Sequence, residues 1–107
     1  MLRLPRYYVY LLLSRDGKTY IGMTSNIRRR FKQHNAQSNQ GWTGGKGPWH
    51  LLAVRMYLDK HSAQMVEKQL KKWHRGRGNW NLDGWIRRER PRLRRLCERY
   101  GIQHRLA

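Results

Sequence analysis

The stretch "YYVYLLLSRDGKTYIGMT", residues 7–24, decides how the rest of the chain is read. Tyr7 to Ser14 is rich in aromatic and branched residues and stops at Asp16-Gly17, a pair suited to a tight turn. Lys18 to Thr24 then reads as the return strand of a hairpin. Two registers are open. A two-residue loop pairs Arg15 with Lys18 and puts Tyr10 and Tyr20 on opposite faces. A three-residue loop, Arg15-Asp16-Gly17 with Gly17 left-handed, pairs Ser14 with Lys18. It sets Tyr10 opposite Gly22 and Leu12 opposite Tyr20, on one face. A slip of one residue turns every side chain over, so this choice decides whether the tyrosines can share a site. The local sequence leaves both registers open.

Downstream of the hairpin, Ser25 or Asn26 is placed to cap a helix over roughly 27–38. At helical spacing, Ile27, Arg30, Phe31 and His34 fall on one face, while Arg28, Arg29 and Lys32 point elsewhere. "NAQSNQGWTGGKGP" is a loop by its Gly, Asn and Pro content. "WHLLAVRMY", residues 49–57, reads as a third strand. Ser62 is the expected cap of a second helix ending near Trp73, with Ala63, Val66, Leu70 and Trp73 as its apolar stripe. Glu67 falls within that stripe. After the basic break "HRGRGN", Leu82, Trp85, Ile86, Leu93, Leu96, Cys97 and Tyr100 keep one helical face, which Pro91 is expected to kink or split and Gly101 to end.

Composition narrows the partners. The chain has 107 residues, enough for one domain with one modest core. Its 24 bases against six acids give a net charge of +18, which points to a polyanion, with nucleic acid ahead of a membrane surface. No stretch approaches the roughly 20 apolar residues of a membrane span. The start of the chain lacks the apolar run of a signal peptide. A single cysteine, Cys97, leaves no internal disulfide partner and no zinc pattern, so the expected setting is intracellular, cytoplasmic or nucleoid-associated. From Lys68 onward there are 13 bases and three acids, more than half of the net charge.

Hydrolysis of a phosphodiester needs an oriented water, a group to take its proton, a cation for the phosphoryl charge and help for the leaving oxygen. Six acids cannot furnish the clustered carboxylates of a two-metal nuclease. Asp16 belongs to a turn, Asp59 precedes a helix, and Asp83, Glu89 and Glu98 lie in the basic C-terminal part. Only Glu67 falls on an inward stripe, where a carboxylate is costly unless it is paired or binds a cation. A one-metal site helped by Tyr and Arg stays open. The plainer readings are an ion pair for Glu67, strand residues for the tyrosines, a solvated charge for Arg30, and a capping or surface histidine for His34.

Five pieces in order, "YVY" at 8–10, "YIG" at 20–22, "TSNIRRRFKQHN", "GKGPWHL" and "AQMVEKQLKKW", make the chain resemble the GIY-YIG endonuclease superfamily, as a small single-domain member. The first motif departs from the name-giving Gly-Ile-Tyr but keeps Tyr10. The resemblance spans roughly residues 7–75. It implies an α+β fold: a small three-stranded antiparallel sheet flanked by helices, here with an extra basic C-terminal helical segment. Residues 1–75 would be the nuclease core and 76–107 an extension on the same domain. It favours the three-residue loop, with Gly22 leaving room for a phosphate. It implies Tyr10 and Tyr20 lining the site, one of them as general base or as holder of the attacking water. Arg30 would face the phosphorane charge, and His34 would hydrogen-bond in the site or assist proton transfer. Glu67 would hold one divalent metal, Mg²⁺ with Mn²⁺ as the alternative. An asparagine often follows that glutamate, and Asn79 is the nearest match by spacing, with Asn81 its rival. A tyrosine ionises near pH 10 and is a poor base at neutral pH, so Arg30, a metal or Lys18 is expected to lower that value.

DNA is the expected partner, single-stranded, duplex or branched, with repair or recombination as the setting. The nucleic-acid contacts are expected from Lys18, Arg29, Trp42, Lys46 and Arg75, and from the C-terminal stripe Arg87, Arg88, Arg94 and Arg95. Two other readings compete. One is a non-catalytic nucleic-acid binder on the same fold. The other is an unrelated basic RNA- or ribosome-associated protein.

Overall fold

The computed structural model describes residues 5–14, 16–36, 44, 48–76 and 80–100. The elements run β1 (Tyr7–Ser14), β2 (Thr19–Thr24), α1 (Ile27–Asn35), β3 (Trp49–Tyr57), α2 (Lys60–Arg75) and α3 (Trp80–Tyr100). The strands form one three-stranded antiparallel sheet, as the resemblance implied, and their order is β2-β1-β3. The hairpin takes the three-residue loop. Gly17 adopts φ 83°, a left-handed conformation that only glycine enters without strain, and the Ser14 amide donates to the Lys18 carbonyl at 2.9 Å. Tyr10 therefore faces Gly22 and Leu12 faces Tyr20.

β1 is the central strand, and five consecutive residues, Tyr8 to Leu12, are buried because both faces of the sheet are covered. On one face Tyr8, Tyr10 and Leu12 join Trp49, Leu51, Val54 and the inward side of α1. On the other, Val9, Leu11 and Ile21 meet Ala63 and Leu70 of α2 and Leu82 and Trp85 of α3. The β3 pairing shifts register between Leu11 and Leu12, whose partners are Ala53 and Leu51. The extra residue, Leu52, is a bulge that places Leu52 and Ala53 on the same face and turns Leu51 and Trp49 toward α1. Asn35, at the end of α1, then clamps the start of β3. Its Oδ1 accepts from the Trp49 amide at 2.7 Å and its Nδ2 donates to the Trp49 carbonyl at 3.2 Å.

One of the two helix starts differs from expectation. Asn26 caps α1, accepting from the Arg29 amide at 3.1 Å. Asp59, not Ser62, caps α2: its carboxylate accepts from the amides of His61 and Ser62 and from the Ser62 hydroxyl. A carboxylate is the stronger acceptor, and its charge suits the positive end of the helix dipole. α2 runs on to Arg75, and Gly76 follows it. α3 is one continuous helix with Pro91 inside it, so the expected split does not occur. Proline removes one backbone hydrogen bond there. The contacts of Leu82 and Trp85 with the sheet, and an ion pair of Glu89 with Arg55 of β3 at 3.1 Å, anchor the part of the helix before Pro91. Glu89 is 1% exposed, and its Oε2 lacks a hydrogen bond among the described residues, with Arg92 at 3.7 Å. The side chains of Leu93, Leu96, Cys97 and Tyr100, and Gly101, lie outside the described residues. Among the described residues no helix is long and apolar enough to cross a membrane.

Candidate active site

The α1 face of the sheet carries the cluster. Tyr10 is fully buried, and its Oη lies 2.7 Å from Nε2 of His34. The stripe Ile27, Phe31, His34 turns toward the sheet because Ile27 and Phe31 seat in the core, and His34 follows one turn later. Tyr20 closes the group from β2. Its ring centroid is 4.8 Å from that of His34 and 6.2 Å from that of Tyr10. Arg30 lies at the exposed rim. Its guanidinium interacts with the hydroxyls of both tyrosines and donates to Gln33 at 3.3 Å.

Gly22 explains how this fits. A Cβ there would lie 2.6 Å from Tyr10 Oη, 2.7 Å from Tyr10 Cζ and 2.9 Å from Tyr20 Cε1. The space left by the missing side chain is taken by the tyrosines, so the expectation that it receives a phosphate is corrected. Only a backbone without a side chain lets Tyr10 lie across β2 with its hydroxyl directed at His34.

The electrostatics also differ from expectation. Burial pushes the Tyr10 hydroxyl well above the ordinary phenol range, and the hydrogen bond from Arg30 lowers it only in part. Arg30 by itself does not bring this tyrosine down, because lost hydration outweighs one cation at the rim. Lys18 is exposed in the hairpin. His34 is held down at about 4, first by burial and second by the Arg30 charge. It is neutral at pH 7. With its proton on Nδ1, Nε2 accepts the Tyr10 hydroxyl proton.

Glu67 comes from α2, on the other side of the sheet. Its neighbours along the stripe, Ala63 and Leu70, are fully buried, whereas its own side chain is 22% exposed and pairs with Lys71 at 3.6 Å. Its charge is still near enough to oppose ionisation of Tyr10. β2 is an edge strand, so a group on α2 can act on a hydroxyl that lies across that edge. Among the described residues no three His, Cys, Asp or Glu side chains cluster as a metal cage.

The remaining expected residues are dispersed. Arg29 lines a cavity of about 350 Å³ beside Arg30, and Arg75 lines one of about 500 Å³ beside Tyr20. Arg87, Arg88 and Arg95 are exposed on α3. Asn81 is in the first turn of α3, which packs on the face opposite the tyrosines. Trp42, Lys46, Asn79 and the Arg94 side chain lie outside the described residues. Sequence reading passed over Asn35 as the clamp and Glu89 as a buried acid. A helix-terminal asparagine gave no signal for the first. The spacing of Glu89 four residues after Trp85 could have found the second.

The GIY-YIG catalytic domain, as a family, matches residues 6–81. The chain belongs to the GIY-YIG family. The domain places it in a nuclease superfamily. Among its relatives, a UPF0213 protein of Oceanobacillus iheyensis is 33% identical over 66 residues, covering 62% of this chain and 77% of that protein. A UPF0213 protein of Xanthomonas campestris pv. campestris is 35% identical over 91 residues, covering 85% of this chain and 72% of that protein. The solution NMR structure of a UPF0213 protein from Bacillus halodurans is 35% identical, covers 67% of this chain and 74% of its own, and superposes with a TM-score of 0.42. The GIY-YIG match ends at residue 81, at the start of α3.

Proposed function

We propose that the protein is a metal-dependent endonuclease that hydrolyses DNA phosphodiester bonds with one metal and the set Tyr10, Tyr20, Arg30, His34 and Glu67. The observation that carries this reading is the 2.7 Å contact between the buried Tyr10 hydroxyl and a neutral His34, with Tyr20 and Arg30 around it. A strand tyrosine that served only the core has no need of a histidine acceptor and a guanidinium at its hydroxyl.

The cluster supplies most of what the reaction requires. A water at the rim, held by the part-exposed Tyr20 hydroxyl, attacks phosphorus, forming the new P–O bond as the bond to the leaving oxygen breaks. The proton of that water goes to Tyr20 Oη as Tyr20 releases its own to solvent. Tyr10 stays protonated, in agreement with its raised pKa, and its buried hydroxyl, held between His34 and Arg30, positions the guanidinium. Arg30, exposed at the rim, meets the charge that develops on the phosphoryl oxygens. Tyr20 packs against His34 and holds its ring.

Glu67 is suited to a hard divalent cation. Mg²⁺ is commonly held by one or two carboxylates together with waters and phosphate oxygens, so a single glutamate at the site fits it. The partial exposure of Glu67 and its loose pairing with Lys71 leave its oxygens accessible. When bound, the cation would neutralise phosphoryl charge and support the leaving oxygen. DNA as substrate is supported by the net charge of +18 and by the exposed arginines of α3, with residues 76–107 as a basic extension of the domain.

The test uses purified protein with labelled single-stranded, duplex and branched DNA, in Mg²⁺, in Mn²⁺ and in EDTA. Cleavage that needs the metal and is lost in Tyr10→Phe is expected. Salt-sensitive binding with no cleavage of any substrate by the unsubstituted protein would instead make it a non-catalytic binder.

A further inference from the structure

Two basic cavities flank the tyrosine cluster along β2. The larger, about 500 Å³, lies at the start of the strand. It is lined by Thr19, Tyr20 and Ile21, and by Lys71, His74 and Arg75 of α2. The smaller, about 350 Å³, lies at the end of the strand, where Met23 and Thr24 meet Arg29, Arg30 and Lys60. Each cavity shares a residue with the cluster, Tyr20 in one and Arg30 in the other. We infer that each cavity seats a phosphate of the strand, one upstream and one downstream of the scissile phosphate, so that a nucleic-acid strand tracks along β2. The inference rests on the nuclease reading above and adds to it the path of the strand.

The spacing supports this. Thr19 and Thr24 are five residues apart, about 17 Å in an extended strand. That length corresponds to about five nucleotides along a duplex at ~3.4 Å per step, and to fewer on an unstacked strand. On α2, Glu67, Lys71 and Arg75 recur every four residues on one side of the helix, so Arg75 lies about 12 Å from Glu67 along the axis. A phosphate at Lys71 and Arg75 therefore lies about two to four nucleotides from one at Glu67 at ~3.4 Å per step.

A competing explanation exists for the larger cavity. Lys72, His74 and Arg75 occupy the last turn of α2, where cations offset the negative end of the helix dipole. That end carries only about half a negative charge, whereas Lys71 and Arg75 each bring a full positive charge to the cavity. The local field stays positive and suits an anion. The two explanations also predict different measurements: a dipole role changes stability, and a phosphate role changes the salt dependence of binding.

The experiment measures binding of the full chain to a labelled oligonucleotide in EDTA across a salt series, together with thermal melting and with Mg²⁺ cleavage by the unsubstituted protein. Arg75→Gln is expected to reduce the log–log salt slope by about 0.7 to 0.9, one phosphate contact. Arg29→Gln with Lys60→Gln is expected to reduce it by about twice that. Oligonucleotides with one neutral methylphosphonate locate the contacts. The unsubstituted protein should lose affinity at positions on both sides of the cleaved bond. Arg75→Gln should become insensitive on one side and the Arg29/Lys60 variant on the other. Unchanged slopes, a lowered melting temperature as the sole effect of Arg75→Gln, or sensitivity lost on the same side in both variants would overturn the track. If those results came with metal-dependent cleavage, the nuclease reading would stand and only the track would fall. A protein that neither binds nor cleaves would remove both.

Discussion

Replacing Gly22 by alanine tests the geometry most directly. The added Cβ would sit 2.6 Å from Tyr10 Oη and 2.7 Å from Tyr10 Cζ. Ordinary van der Waals contact begins near 3.4 Å, so the hydroxyl end of the ring must retreat by about 0.8 Å. A clash at the tip of a long flexible side chain would be cheap to relieve. Tyr10 is a rigid ring, fully buried on the central strand, and Tyr20 blocks a second direction at 2.9 Å. Overpacking of this kind costs typically about 1–3 kcal/mol, and each kcal/mol lowers Tm by roughly 4–8 °C in a domain near 100 residues. The same retreat breaks or stretches the 2.7 Å contact with His34. A misplacement of about 1 Å in a catalytic group can reduce rate about 100-fold. Thermal melting followed by circular dichroism reads the first effect, and kcat/KM on labelled DNA at a temperature where the variant is folded reads the second. Wild-type Tm together with wild-type kcat/KM would refute the close approach of Tyr10 to Gly22 and, with it, the assembly of the cluster.

Glu67→Ala should abolish cleavage while DNA affinity in EDTA changes little, because affinity rests on many phosphate contacts; unchanged turnover would remove Glu67 from the metal role. His34 is held near 4 against an ordinary 6.5, so the unfolded chain binds its proton first as pH falls. Stability is therefore complete above about 6.5 and declines as pH falls toward 4, by about 3 kcal/mol at ~1.36 kcal/mol per pH unit across the window. His34→Gln should flatten the 4–6.5 part of a Tm–pH profile, and an identical profile would contradict the burial of a neutral imidazole. Arg55→Ala strands the Glu89 carboxylate in the interior and should cost about 3 kcal/mol or more in denaturant unfolding, whereas Glu89→Met, which lets the half-exposed Arg55 turn to water, should cost far less. Equal losses in the two variants would show that the pair does not hold α3 in this asymmetric way.

Sequence alone determined the elements, because they are local. β propensity and Asp16-Gly17 mark the hairpin, helical spacing puts Phe31 and His34 on one side of α1, and alternation with turn chemistry bounds β3. The +18 charge points to a polyanion through long-range electrostatics that depends little on fold. What local pattern could not settle was anything that depended on a neighbour distant in the chain. The bulge at Leu52 exists because two faces of β3 must be filled at once, and it sends Trp49 to meet Asn35. The direction of the Tyr10 shift came from the depth at which the sheet and α1 enclose the ring, a property of the whole core rather than of Tyr10 or Arg30. Glu67 reads as inward from its own helix, yet its surroundings are decided by how α2 meets the edge of β2. Propensity acts over a few residues, whereas desolvation and side-chain contact act over a few ångströms, and only the tertiary structure brings residues 10, 20, 22 and 34 within that range.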